Sequence, residues 1–96
     1  MDRKYYVYIA SNITRSVLYI GVTGNMRRRI GEHKERKIQG FTSKYFVTTL
    51  LYIEEHSDIY TALKREKRLK KYPRKWKENL IAEFNPERKD LYGDLM

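Results

Sequence analysis

Residues 5–21 read Tyr5-Tyr6-Val7-Tyr8-Ile9-Ala10-Ser11-Asn12-Ile13-Thr14-Arg15-Ser16-Val17-Leu18-Tyr19-Ile20-Gly21, two short tyrosine-bearing runs on either side of a polar loop. Period-two alternation makes residues 4–10 a strand, with Tyr6 and Tyr8 on one face and Val7 and Ile9 on the other. Ser11 to Ser16 is polar and turn-like, so residues 17–22 return antiparallel as the second arm of a hairpin. Pairing Tyr8 with Tyr19 across that hairpin sets both phenols on one face, whereas a slip of one residue would separate them.

Outward from the hairpin, Thr23-Gly24-Asn25 supplies capping chemistry for a helix from about Asn25 to Lys37. Residues 38–45 form a loop around Gly40-Phe41-Thr42, and Val47 to Glu54, rich in β-formers, is a third strand. Asp58 caps a helix that runs through about Lys71. Tyr72-Pro73 interrupts it, and Pro73 stands in the first turn of a last helix. There Trp76, Leu80 and Phe84, at i, i+4 and i+8, form a core stripe. Asn85-Pro86 ends that helix, and the tail beyond it carries no signal. The order ββαβαα predicts an α/β (α+β) fold, a three-stranded antiparallel sheet flanked by helices, in one domain over residues 1–96.

Composition narrows the function classes. The chain has no cysteine and two histidines, which excludes a disulfide framework or thiolate zinc site and disfavours a structural zinc. No apolar run approaches the roughly 20 residues that span a bilayer, and no signal peptide opens the chain, so the expectation is a cytoplasmic protein without a membrane partner. Twenty-one Lys and Arg against twelve Asp and Glu give a net charge of +9. That surplus is clustered, with nine basic residues and only Glu66 as an acid between Lys64 and Lys77. Clustering of this kind predicts a polyanionic partner, because counterion release drives basic surfaces onto phosphates. Arg27, Arg28, Lys44, Lys64, Lys67, Lys70 and Lys71 are the expected nucleic-acid contacts.

Helical phase picks out three charged or titratable side chains on inward faces. In the helix after Asp58 the apolar stripe is Ile59, Ala62, Leu63 and Leu69, and Glu66 falls in its middle. A carboxylate there is expensive unless it is paired or bound to metal. An i,i+4 pair with Lys70 contributes only about 0.2–0.5 kcal/mol. Glu66 is therefore either a metal ligand or half of a buried ion pair. In the first helix Arg29 and His33 lie on the face of Met26 and Ile30 and, at i,i+4, converge on one spot. His33 reads as a packed, hydrogen-bonded residue or as a catalyst. Arg29 near a sheet of phenols suits a phosphate, with planar bidentate donors and a permanent charge.

The two tyrosine runs resemble the signature of the GIY-YIG endonuclease family, with Tyr6-Val7-Tyr8 in the first slot and Tyr19-Ile20-Gly21 in the second. Arg29, ten residues after Tyr19, and His33, four further on, match the family's arginine and following histidine. Glu66 matches its metal-binding glutamate and Asn85 its late asparagine. Gly40-Phe41-Thr42, Arg65-Glu66-Lys67 and Asn85-Pro86 resemble segments of the small stand-alone branch, with coverage of about residues 4–92. The first motif's Gly-Ile is Tyr6-Val7 here, and Val22 stands where some members carry a lysine.

The resemblance implies phosphodiester hydrolysis with one divalent ion, Mg²⁺ or Mn²⁺, held by Glu66, and no small-molecule cofactor. It gives Arg29 the developing phosphoryl charge and Tyr8 the attacking water. Tyr19 supports the phosphate, His33 relays protons and Asn85 orients a neighbour. The expected activity is thus endonucleolytic cleavage of nucleic acid, with DNA as the first candidate. The alternatives are a non-catalytic nucleic-acid-binding module on the same fold and a basic protein-interaction domain.

Overall fold

The computed structural model describes residues 3–35 and 44–95. Three strands, β1 (Tyr5–Ser11), β2 (Leu18–Thr23) and β3 (Thr49–His56), form one antiparallel sheet in the order β2-β1-β3. The helices are α1 (Met26–Lys34), α2 (Ile59–Lys71) and α3 (Arg74–Phe84), followed by a 3₁₀ turn, Leu91–Leu95. This is the expected ββαβαα order. The expected helix end at Lys37 and the Gly40-Phe41-Thr42 loop lie outside the described residues.

Local chemistry explains the boundaries. Asn12 organises the hairpin loop, its side chain donating to Thr14 and Ser16 and accepting from the Val17 N–H at 3.0 Å. Arg74 ties the same loop down by donating to the carbonyls of Arg15 and Ser16. Asn25 caps α1 by accepting from the Arg28 N–H, and Asp58 caps α2 by accepting from the Thr61 N–H, each a donor the helix leaves without a partner.

The hairpin register differs from the expected one by two residues. Tyr8 faces Gly21, and Tyr19 faces Ala10. An even shift preserves the face, so the two phenols remain on the same side.

Strand β1 is central and buried on both faces. On one face Val7, Ile9, Ile20, Leu51 and Tyr52 pack with Ala62 and Leu69 of α2 and Ile81 of α3. A bulge opposite Ile9 and Ala10 turns both Leu51 and Tyr52 toward that layer. On the other face Tyr8, Ala10 and Leu50 pack with Met26 and Ile30 of α1 and with Leu91. The tail after Asn85 is therefore a packed element. Asp90 accepts from the Leu50 and Tyr92 N–H groups and pairs with Lys34, whose ammonium also donates to the Thr48 carbonyl.

The expected α3 stripe is rotated. Ile81 is the buried residue, whereas Trp76 and Phe84 are 54% and 52% exposed. Those two aromatics lie on the helix flanks, Trp76 edge-on to Tyr72 and Phe84 edge-on to Tyr52. On α2 the buried residues are Ala62 and Leu69, with Leu63 at the margin.

Candidate active site

Four of the sequence-selected residues meet on the α1 face of the sheet. The rings of Tyr8, Tyr19 and His33 form a triangle with centroid separations of 6.2, 5.7 and 5.5 Å. Tyr8 Oη and His33 Nε2 are 2.9 Å apart, and both residues are buried. Tyr19 is half-buried at the edge strand. Gly21 is what lets Tyr8 reach that edge. A Cβ on Gly21 would stand 2.4 Å from both Cζ and Oη of Tyr8, so the central strand's ring crosses β2 where β2 has no side chain.

Burial is the main reason the Tyr8 phenol is held well above its ordinary pKa. Tyr19 adds to the rise, Arg29 opposes it by charge and by hydrogen bonding, and Glu66 raises it further. Glu66 thus lies within electrostatic reach of the phenol, although it comes from the helix that covers the opposite face. His33 moves the other way, down to about 4, because burial and then the Arg29 charge disfavour its imidazolium, with Glu32 opposing. At neutral pH both groups are uncharged. Tyr8 then donates to Nε2, which places the imidazole proton on Nδ1. The reverse arrangement would leave the phenol proton without an acceptor in the described hydrogen bonds.

Two buried nitrogens in this cluster have no hydrogen-bond partner among the described residues, His33 Nδ1 and Arg29 Nε. Arg29 Nε approaches Glu32 Oε1 at 3.5 Å, a loose i,i+3 ion pair that does not satisfy it as a hydrogen bond. Unsatisfied buried donors are rare and costly.

Glu66 has a side chain only 15% exposed, and its nearest cation is Lys70 at a loose 3.7 Å. Among the described residues no three His, Cys, Asp or Glu side chains come together as a metal cage. One hard carboxylate, largely buried and only loosely paired, fits an ion of the magnesium type, which completes its shell with water and substrate oxygens.

The remaining sequence-selected residues fall elsewhere. Asn85 caps α3 and donates to the carbonyls of Leu51 and Lys89 at 3.2 and 2.8 Å, while its own side-chain oxygen accepts from the Lys89 N–H. Its amide is committed to holding the C-terminal segment on β3. Arg27, Arg28, Lys64, Lys67, Lys70 and Lys71 are exposed on their helices, and Lys44 is exposed with its ammonium over the Tyr45 ring.

One polar cluster escaped the sequence reading. Glu54 accepts from Tyr52 Oη and His56 Nε2 at 2.7 Å each and from Arg65 Nε at 3.0 Å, and Arg65 also donates to Tyr72. Burial pushes the Glu54 carboxyl up, but these donors together bring it below the usual range. The signal was the i, i+2, i+4 spacing of Tyr52, Glu54 and His56, which sets all three on one strand face.

Comparison with known proteins gives the family. The GIY-YIG catalytic domain model matches residues 4–79. The chain belongs to the GIY-YIG family. Relatives include a UPF0213 protein of Syntrophus aciditrophicus, 36% identical over 88% of this chain and 97% of its own length. Another, from Staphylococcus haemolyticus, is 35% identical over 83% of this chain and 96% of its own. A third, from Natronomonas pharaonis, is 31% identical over 86% and 96%. No solved structure gives a significant match. The GIY-YIG match contains both tyrosine motifs, Arg29, His33 and Glu66, and ends before Asn85.

Proposed function

We propose that this GIY-YIG protein is a metal-dependent endonuclease that hydrolyses phosphodiester bonds in nucleic acid, with DNA as the principal substrate. The observation that carries this reading is the pair of buried nitrogens, Arg29 Nε and His33 Nδ1, that lack a hydrogen-bond partner among the described residues and lie beside two phenols. Phosphate oxygens are the acceptors they lack, and a guanidinium there stabilises charge as it develops on the phosphoryl group.

Tyr19, the half-exposed phenol, is the one suited to meet the substrate. Tyr8 stands behind it, neutral and bonded to His33, and holds the imidazole orientation that keeps Nδ1–H free for an acceptor. Arg29 offsets only part of the rise that burial imposes on the Tyr8 phenol, so Tyr8 acts here as a neutral donor that orients the site, and it would need a bound cation's help to take a proton from the attacking water. Glu66 would hold one Mg²⁺ or Mn²⁺. A bound divalent ion supplies polarisation of the scissile phosphate and stabilises the leaving oxygen. The basic residues of α1 and α2 add phosphate contacts that position without reading sequence.

The test is incubation of the purified protein with DNA and RNA substrates, with Mg²⁺ or Mn²⁺ and with EDTA, beside Glu66→Ala and Arg29→Ala. Cleavage that stops with EDTA and with either substitution, while salt-sensitive binding persists, is the expected result. Binding without cleavage by the unaltered protein would favour a non-catalytic module. Cleavage that survives both substitutions would remove the assignment.

A further inference from the structure

Helix α2 carries six Lys and Arg residues, and apart from Arg68, exposed on the flank, the fold sorts them into two groups. Arg65 is drawn onto Glu54, and Lys70 lies against Glu66. Lys64, Lys67 and Lys71 are exposed and make no ion pair or side-chain hydrogen bond with the described residues. At roughly 100° per residue these three share one narrow stripe with Tyr60, diametrically opposite Ala62 and Leu69, which face the sheet. Tyr60 heads the stripe with its ring 78% exposed. An open groove of about 410 Å³ runs between Tyr60, Thr61, Leu63, Lys64 and Lys67.

Stability does not explain this arrangement. Among the described residues the ring of Tyr60 makes no aromatic, cation–π or hydrogen-bond contact, and three like charges along one face repel one another. A polyanion relieves that repulsion, and an aromatic face among lysines is where a nucleobase stacks.

We propose that the outer face of α2 is a track for an unpaired nucleic-acid strand, with Tyr60 stacking a base and Lys64, Lys67 and Lys71 contacting phosphates along it. The stripe spans eleven residue steps, roughly 16 Å of helix, enough for a few nucleotides. An unpaired strand fits better than a duplex, because base pairs in a duplex are closed above and below by their neighbours and offer no free face to Tyr60. The inference rests on the reading of the chain as a nucleic-acid hydrolase and narrows its substrate to one with a single-stranded segment.

The test measures binding by fluorescence anisotropy in EDTA, where no cleavage intervenes. The probes are a labelled thymidine strand of about 12 nucleotides, within the usual site sizes, an abasic strand of equal length and charge, and the matching duplex. Tyr60→Ala is expected to weaken binding of the thymidine strand about 5- to 100-fold, while Tyr60→Phe keeps it and the abasic strand and duplex change little. Lys64→Ala with Lys67→Ala is expected to weaken all three probes and to lower the salt dependence by about one to two units of slope. A uridine strand showing the same Tyr60 dependence supports the track and adds RNA to what it accepts. The proposal is overturned if Tyr60→Ala binds the thymidine strand as well as wild type does, or loses the abasic strand equally. A protein that shows Tyr60-dependent binding but never cleaves in Mg²⁺ would remove the nuclease reading and leave the track standing.

Discussion

The ring of Tyr8 lies across Gly21, so that the phenol of the central strand projects over the edge strand beside it. Gly21→Ala forces the two apart, and Tyr8 has no room to yield because it is buried and bonded to His33. We expect a loss of about 1–3 kcal/mol in urea unfolding, the usual effect of overpacking a core. Nucleic-acid cleavage should fall with it. An alanine variant as stable as wild type would mean that the ring does not occupy this position.

His33 gives the fold a pH dependence with a definite sign. Its pKa is depressed from an ordinary 6.5 to about 4, so between these values the unfolded chain binds a proton that the folded one refuses. The stabilisation is complete above the unfolded value and is lost as pH falls through this window. Wild type should lose about 2 kcal/mol between pH 7 and pH 5 from this group alone. His33→Gln should flatten that interval in denaturant titrations. Asp90 and Glu54, carboxyls held below their ordinary range, act at more acid pH.

Arg29→Lys keeps the charge but removes the planar fork that carries Nε. Cleavage should fall about 10²–10³-fold, comparable to deleting a donor for a developing oxyanion. Substrate affinity should change far less. Steady-state kinetics separate the two, since a pure rise in KM would assign Arg29 to binding alone.

Arg65 belongs to the architecture, although it sits in the most basic stretch of the chain. Arg65→Ala leaves Glu54 with only its Tyr52 and His56 donors and without the guanidinium, and both partners are largely buried. We expect about 1–3 kcal/mol of destabilisation. The salt dependence of nucleic-acid binding should not move, whereas Lys67→Ala should show the opposite pattern. Anisotropy and thermal unfolding on the same two proteins check this.

Asp90 anchors α1 from far along the sequence. Asp90→Ala removes acceptors for two backbone N–H groups and the partner of Lys34. Amide exchange in α1 should accelerate more than in α2, with an overall loss of about 1–3 kcal/mol.

Much of this was legible in the residues. Alternation in 4–10 and the return run 17–22 identified two strands, and helical phase placed Arg29 and His33 inward because an amphipathic face is a strong, local signal. Glu66 was legible for the same reason. Hairpin register was not, since the choice of Gly21 over Tyr19 as the partner of Tyr8 depends on a ring needing empty space. The α3 face was misjudged because Trp76 and Phe84 gain their contacts edge-on from Tyr72 and Tyr52 and need no burial. Asp90 and Leu91 gave no signal, being a short polar-apolar pair whose partners lie some forty to eighty residues earlier in the chain.

That late packing has a consequence for how the molecule comes into being. The floor under α1 is finished by Leu91, and its clamp by Asp90. A ribosome must therefore have made nearly all of the 96 residues before the helix bearing Arg29 and His33 is seated. On the proposed function, cleavage waits until Asp90 and Leu91 have left the ribosome, which spares the message nearest to the nascent chain.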